Sequence, residues 1–166
     1  MKKRLGFTLI ELLVAIAIMA VIMAIAVPNF LGARERARDT KLKSEMQQLK
    51  SALLMYYNDH QTYPGKTSAA LFSGCGISGV NDCPNTISGC TSFEFSAGGA
   101  GCDTVYMKKL PTATLTGMTY AQLADGEGFS LCANLENTAD QDGATSRTKC
   151  TSTIVGTTNV YCVCSE

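Results

Sequence analysis

Between Phe7 and Val27 the chain reads FTLIELLVAIAIMAVIMAIAV, and Glu11 alone in that run carries a charge. No other feature restricts the fold so tightly. These twenty-one residues, at about 1.5 Å each, make a helix of roughly 31 Å, enough to cross a hydrocarbon core. Val, Ile, Leu, Met and Ala cover every side of it, so it has no polar stripe to turn toward water. Lys2, Lys3 and Arg4 stand just before it, and the positive-inside rule places such an N-terminus in the cytoplasm. The remainder then lies across the membrane. A secretory signal peptide shares this layout, but here the apolar run is too long and no A-x-A-like site closes it. An amphipathic stretch also follows directly.

Glu11 is the exception to account for. A charged carboxylate in lipid costs on the order of 2.5–3.5 kcal/mol on insertion scales, so such residues normally have a partner. The run itself offers no cation. A cut between Gly6 and Phe7 would create an ammonium four residues before Glu11. In a stack of such helices, one subunit's carboxylate would then pair with a neighbour's N-terminal amine.

These residues carry a resemblance. The stretch KKRLGFTLIELLVAIAIMAVIMAIAVPNF resembles the N-terminus of type IV pilins and of the pseudopilins of type II secretion and DNA-uptake systems. The shared pattern is a short basic leader ending in Gly6, then Phe7-T-L-I-Glu11, a long apolar helix and Pro28. The resemblance implies that a prepilin peptidase cuts after Gly6 and that the new Phe7 amine is N-methylated. It also implies that Glu11 and Pro28 serve assembly into a helical homopolymer, driven by a separate ATPase and platform protein. An unprocessed signal anchor is the plainer rival, and it leaves Glu11 unexplained.

Charge agrees with that reading. The whole chain has 14 basic and 14 acidic residues, and loss of the leader removes Lys2, Lys3 and Arg4 from the basic side. A mildly acidic mature chain argues against a nucleic-acid surface. Six of the eleven remaining cations, Arg34, Arg36, Arg38, Lys41, Lys43 and Lys50, crowd the segment after the apolar run. That cluster has the chemistry to grip anionic lipid, but a solvated or subunit-facing helix side is the simpler expectation.

Leu42, Met46, Leu49, Leu53 and Tyr56 recur at intervals of four and three, which is one face of a helix. A continuous helix from about Phe7 to Asn58 would thus have a lipid half and a half that packs on a soluble head. Pro28, lacking an N–H and followed by Gly32, predicts a bend or unwinding near residues 24–32. The helix should end at NDHQTYPG, where Tyr63 precedes Pro64.

From Gly65 onward Gly, Ser and Thr dominate, and residues 65–104 read as an irregular connection with one short element. Four strands are expected after it, in TVYMKKL, MTYAQLA, GFSLCANLEN and NVYCVCS, with DGEG as a hairpin turn. The expected fold class is α+β: a long helix packed on a small antiparallel sheet. The expected division is a leader (1–6), a membrane and polymerisation helix (7–28), an amphipathic helix (29–60) and a head (61–166). Such a head has a thin core. Cys75, Cys83, Cys90, Cys102, Cys132, Cys150, Cys162 and Cys164 all lie beyond the membrane run, and in an oxidising compartment they read as disulfides. Cys162 and Cys164, two apart on one strand, should face the same way and bond different partners. The pilins of the resemblance often carry a single disulfide, so this chain departs from them.

Enzymatic and cofactor readings find little support. His60 is the sole histidine, and no C-x₂-C pair provides zinc spacing. Asp140 and Asp142 in DQDG form a fragment of a calcium loop without its downstream Glu, and a turn is the simpler reading. The expectation is therefore a structural filament subunit with no catalytic residues and no cofactor, calcium being the one candidate. It would sit in the cytoplasmic membrane as a single-pass precursor, then in an extracellular pilus or a periplasmic pseudopilus. The alternatives are a pseudopilin of secretion or DNA uptake and a membrane-tethered, disulfide-rich binding or enzyme domain that never polymerises.

Overall fold

The computed structural model describes residues 6–65, 72–75, 81–83, 94–98, 103–111, 117–123, 125–150 and 159–165. One helix, α1 (Leu9–His60), runs through 52 residues. It is followed by strands β1 (Phe72–Cys75), β2 (Asn81–Cys83), β3 (Phe95–Ala97), β4 (Thr104–Met107), β5 (Met118–Gln122) and β6 (Phe129–Asn134). A short helix α2 (Asp142–Lys149) and strand β7 (Val160–Cys164) complete the order. The strands form antiparallel sheets β1-β2, β3-β4 and β5-β6-β7. The α+β class and all four expected strands are present.

The apolar stripe does what its spacing predicts. Met46, Leu49, Leu53 and Tyr56 are buried, and Leu42 packs against them at the edge. Opposite them stand Phe95 from β3, Tyr106 from β4, Tyr120 from β5 and Phe129 and Leu131 from β6. Tyr56 is the aromatic centre, 5.5 Å from the Phe95 ring and 5.4 Å from Tyr106 between centroids. The helix stops with Gln61 in the left-handed region at φ 56°, its N–H bonded to the Tyr57 carbonyl at 2.7 Å. The chain leaving it is fastened to the three-stranded sheet. Tyr63 N–H donates to Gly126 O (2.8 Å), Gln122 Nε2 to Tyr63 O (2.7 Å) and Tyr120 Oη to Pro64 O (2.7 Å).

Three expectations need correction. Of the bend or unwinding expected near Pro28, the unwinding is absent, because α1 stays helical through it. Proline removes one i→i−4 bond, and beside that gap Asn29 Nδ2 adds a hydrogen bond to Ile25 O at 3.1 Å. The stretch 65–104 holds β1, β2 and β3, not one short element. These strands are three or four residues long, too short for a period of two to stand out, and β3 is buried at every position. The strand at Thr104 pairs with β3 and ends at Met107, so the head has separate small sheets where a single one was expected.

Helix α2 was unforeseen, and for a clear reason. Its buried positions are Gly143 and Ser146, so it has no apolar stripe to detect. It packs by smallness. A Cβ on Gly143 would stand 3.1 Å from the Val160 carbonyl oxygen. The Ser146 hydroxyl donates to Gly143 O and accepts from Cys162 N–H, both at 3.0 Å.

Candidate assembly segment

The amino-terminal half of α1 is bare. From Leu9 to Leu31 no residue is buried, and Leu, Ile, Val and Met side chains stand exposed around the whole circumference. This is the one helix among the described residues that is long and apolar enough to cross a membrane. Phe7 lies just before it and is exposed. Gly6 has open space around it: an added Cβ would meet nothing within 4 Å. Any demand for glycine there therefore comes from outside this chain.

Glu11 has a use that spacing alone should have revealed. Thr8 is the N-cap of α1 and Glu11 is its third helical residue, so T-L-I-E is a capping box. Thr8 N–H and Thr8 Oγ1 both donate to Glu11 Oε2 at 2.8 Å, and Glu11 N–H donates to Thr8 Oγ1 at 3.3 Å. The carboxylate thus satisfies helix-end donors that lipid could not, and it sits at the positive end of the helix dipole. A single subunit thus has work for Glu11, so an unprocessed anchor does not leave it unexplained.

Asp39 begins a different regime. It is 2% exposed, and its two carboxylate oxygens accept the backbone N–H groups of Glu136 (2.9 Å) and Asn137 (2.8 Å). Beside it Arg38 Nε bonds both oxygens of Glu136 at 2.8 and 2.9 Å. One turn on, Lys43 Nζ lies 2.6 Å from Asp140 and 2.7 Å from Asp142, with the Tyr161 ring 5.4 Å away. Burial works against the charge on Lys43, but its hydrogen bonds to Asp140 and Asp142 outweigh that and raise its pKa. The hydrogen bond from Lys43 holds the Asp140 carboxyl below the usual range, and the one from Arg38 does so for Glu136. Part of the basic cluster is therefore a clamp on the β6–α2 loop. Nothing in the sequence pattern marked Asp39 or Glu136 as its partners.

The other expected site residues fall as follows. Cys132–Cys162 and Cys150–Cys164 are disulfides, so Cys162 and Cys164 do take different partners. Cys75 is also disulfide-bonded. Cys83 lies on β2 with its side chain outside the described residues, as are Cys90 and Cys102 altogether. Asp140 and Asp142, the calcium candidates, converge on the Lys43 ammonium, and among the described residues no group of three or more His, Cys, Asp or Glu is placed to hold a metal ion. His60 stacks on Tyr56 at 4.2 Å and lies 3.2 Å from Tyr106 Oη, in the last turn of α1.

A bare apolar helix with a self-capped carboxylate, fused to a clamped and cross-linked head, is similar to the arrangement that the resemblance to prepilins implies. Comparison with known proteins agrees: residues 1–27 match the family described as the prokaryotic N-terminal methylation motif. The chain is 39% identical over 74 residues to the type IV wide pilus major component PilA4 of Thermus thermophilus, covering 45% of this chain and 56% of that one. It is 41% identical over 64 residues to type II secretion system core protein G of Klebsiella pneumoniae, covering 39% of this chain and 46% of the relative. For core protein G of Escherichia coli K12 the identity is 42% over 62 residues, covering 37% and 43%. The matches thus span about half the length of these relatives. No solved structure matches the chain.

Proposed function

We propose that this chain is the major structural subunit of a type IV pilus-like filament. The observation that carries the reading is the division of α1. One half is apolar and uncovered on every side, and the other is locked into a head. Lipid covers the bare half in the stored subunit, and the same half of neighbouring copies covers it in the filament. A peptidase cuts after Gly6 and the Phe7 amine is methylated. The precursor holds its N-terminus in the cytoplasm and its disulfide-bonded head outside. Assembly belongs to a separate ATPase and platform protein, and the subunit itself has no catalytic role and holds no cofactor.

The similarity to core protein G favours a second reading, a pseudopilin that forms a short periplasmic rod. The tethered monomer remains a third reading, since Glu11 has a use within one chain. One fractionation separates them. The full chain is expressed with its peptidase and assembly machinery, surface fibres are sheared off, and their subunit is weighed by mass spectrometry. The reading expects long fibres whose subunit begins at methylated Phe7. Short fibres confined to the periplasm would favour the pseudopilin. Intact Met1 and no fibre would refute both.

A further inference from the structure

One apolar groove on the head, lined in part by the core residue Tyr106, has no part in the clamp. Leu54, Met55, Asn58 and Asp59 of α1 form one wall, and Thr104 and Val105 of β4 form the other. Met55 is 51% exposed and Val105 42%. Asp59 stands one turn beyond Met55, and Tyr106 Oη donates to its Oδ2 at 3.0 Å, which fixes the carboxylate's orientation. Lipid is not the occupant: Met55 lies twenty-eight residues past Val27, roughly 42 Å along the helix.

A matching segment exists elsewhere on the same helix. Phe30 is 63% exposed and Leu31 is exposed beside it, just below the head. Arg34 stands one turn beyond Phe30, its guanidinium 5.9 Å from the ring centroid. We infer that the groove seats the Phe30–Arg34 turn of a second copy, with Phe30 on Met55 and Val105 and Arg34 facing Asp59. The inference rests on the filament reading above.

Order and spacing support it. In both segments the apolar residue comes first and the charge follows four residues later, so parallel helices match both pairs at once. Antiparallel helices that matched the apolar pair would send the two charges in opposite directions. Phe30 to Met55 and Arg34 to Asp59 are each twenty-five residues, so the copies must be displaced by about 38 Å along the axis. The same separation keeps Arg34 from reaching Asp59 within its own chain. A contact between two different patches on parallel copies does not close on itself, and it generates an open helical array.

The test compares sheared filaments with the membrane pool for wild type, Arg34→Asp, Asp59→Arg and the double variant, all as full chains with their assembly machinery. Wild type must first yield filaments, and their absence would sink the filament reading whatever the groove does. Each single reversal should lower filament yield by about fivefold or more, with processed subunit held in the membrane. The double variant should recover most of that yield. Because the two residues are far apart in one chain, such recovery cannot come from repairing the fold. Singles that assemble normally would overturn the proposal. So would a double variant that stays defective although its head unfolds at the wild-type temperature. If Asp59→Arg fails to fold, a helical reconstruction of the wild-type filament decides. It should show contacting subunits displaced by about 38 Å with Phe30 at Met55, and a filament without that displacement overturns the assignment.

Discussion

The two halves of α1 share one backbone geometry and are held by opposite means. From Leu9 to Leu31 no residue is buried. In lipid, internal hydrogen bonds and an apolar surface are enough to hold that half as a helix. From Asp39 to Tyr56 the helix is held by side chains. Met46, Leu49 and Leu53 go into the core, Asp39 onto two backbone amides, and Arg38 and Lys43 onto carboxylates of the β6–α2 loop. The first half has no contact within the described chain to give up, whereas the second is packed into its head. The proposed move from bilayer to polymer would use this asymmetry.

Glu11→Gln tests the first half most sharply. Glutamine still completes a capping box, so insertion, helix start and cleavage should be unchanged, but the charge is gone. If assembly pairs Glu11 with a neighbour's Phe7 amine, that amine is left unpaired, typically at a cost of about 3–5 kcal/mol. Filaments should then be nearly absent while processed subunit accumulates. Thr8→Val makes the complementary change, removing a cap worth about 1 kcal/mol and keeping the charge, so its filament loss should be milder. Normal assembly of Glu11→Gln, measured by fractionation, would mean that capping is the carboxylate's whole role.

For the second half, Cys132→Ser with Cys162→Ser should have the next largest effect. The bridge ties β6 to β7 beside Cys150–Cys164. Its loss should cost about 2–4 kcal/mol of head stability, read as a fall in the thermal midpoint in detergent. The helical signal of the bare half should persist above that midpoint. A single cooperative loss of both would show that the halves are not independent.

How much of this was legible in the sequence depended on whether a pattern had a period. The bare half and the Leu42–Tyr56 stripe were readable, since each repeats over several turns. Helix α2 was not, because burial through Gly143 and Ser146 has no hydrophobic signature. Strand β3 was not, because all three of its residues are inside. The capping box is spelled out in Thr8-Leu9-Ile10-Glu11, but it has no period, and a lone carboxylate in an apolar run signals a missing cation as readily as a cap. The Asp39 clamp was invisible, since its partners are backbone amides 97 and 98 residues away.

Asp39→Ala probes that clamp with a smaller expected effect. Two N–H groups at the start of the β6–α2 loop would lose a charged acceptor, at a cost of roughly 2 kcal/mol. Hydrogen exchange should speed up at Glu136 and Asn137 while the β5-β6-β7 ladder stays protected. Equal acceleration across the ladder would mean that the loop and sheet open together.

The smallest effect concerns the ion pairs around Asp39, and its sign follows from the shifts. Asp140 and Glu136 have lowered pKa values in the folded chain, through hydrogen bonds to Lys43 and Arg38. Their contribution is therefore present above the ordinary carboxylate value near 4 and is lost as pH falls through the lower folded values. Lys43 is shifted up, so its contribution is complete below the ordinary lysine value near 10.4 and is lost only as pH rises through the higher folded value. Between about pH 5 and 10 the clamp should be constant. Arg38 and Glu136 are both about half exposed, so solvent and salt screen that pair, and the more buried Lys43–Asp140 pair should carry most of the pH dependence. Lys43→Met isolates them: thermal midpoints of wild type and variant should differ at pH 6 and converge toward pH 2. Parallel curves over that range would assign the hold on the loop to Asp39 and the core alone.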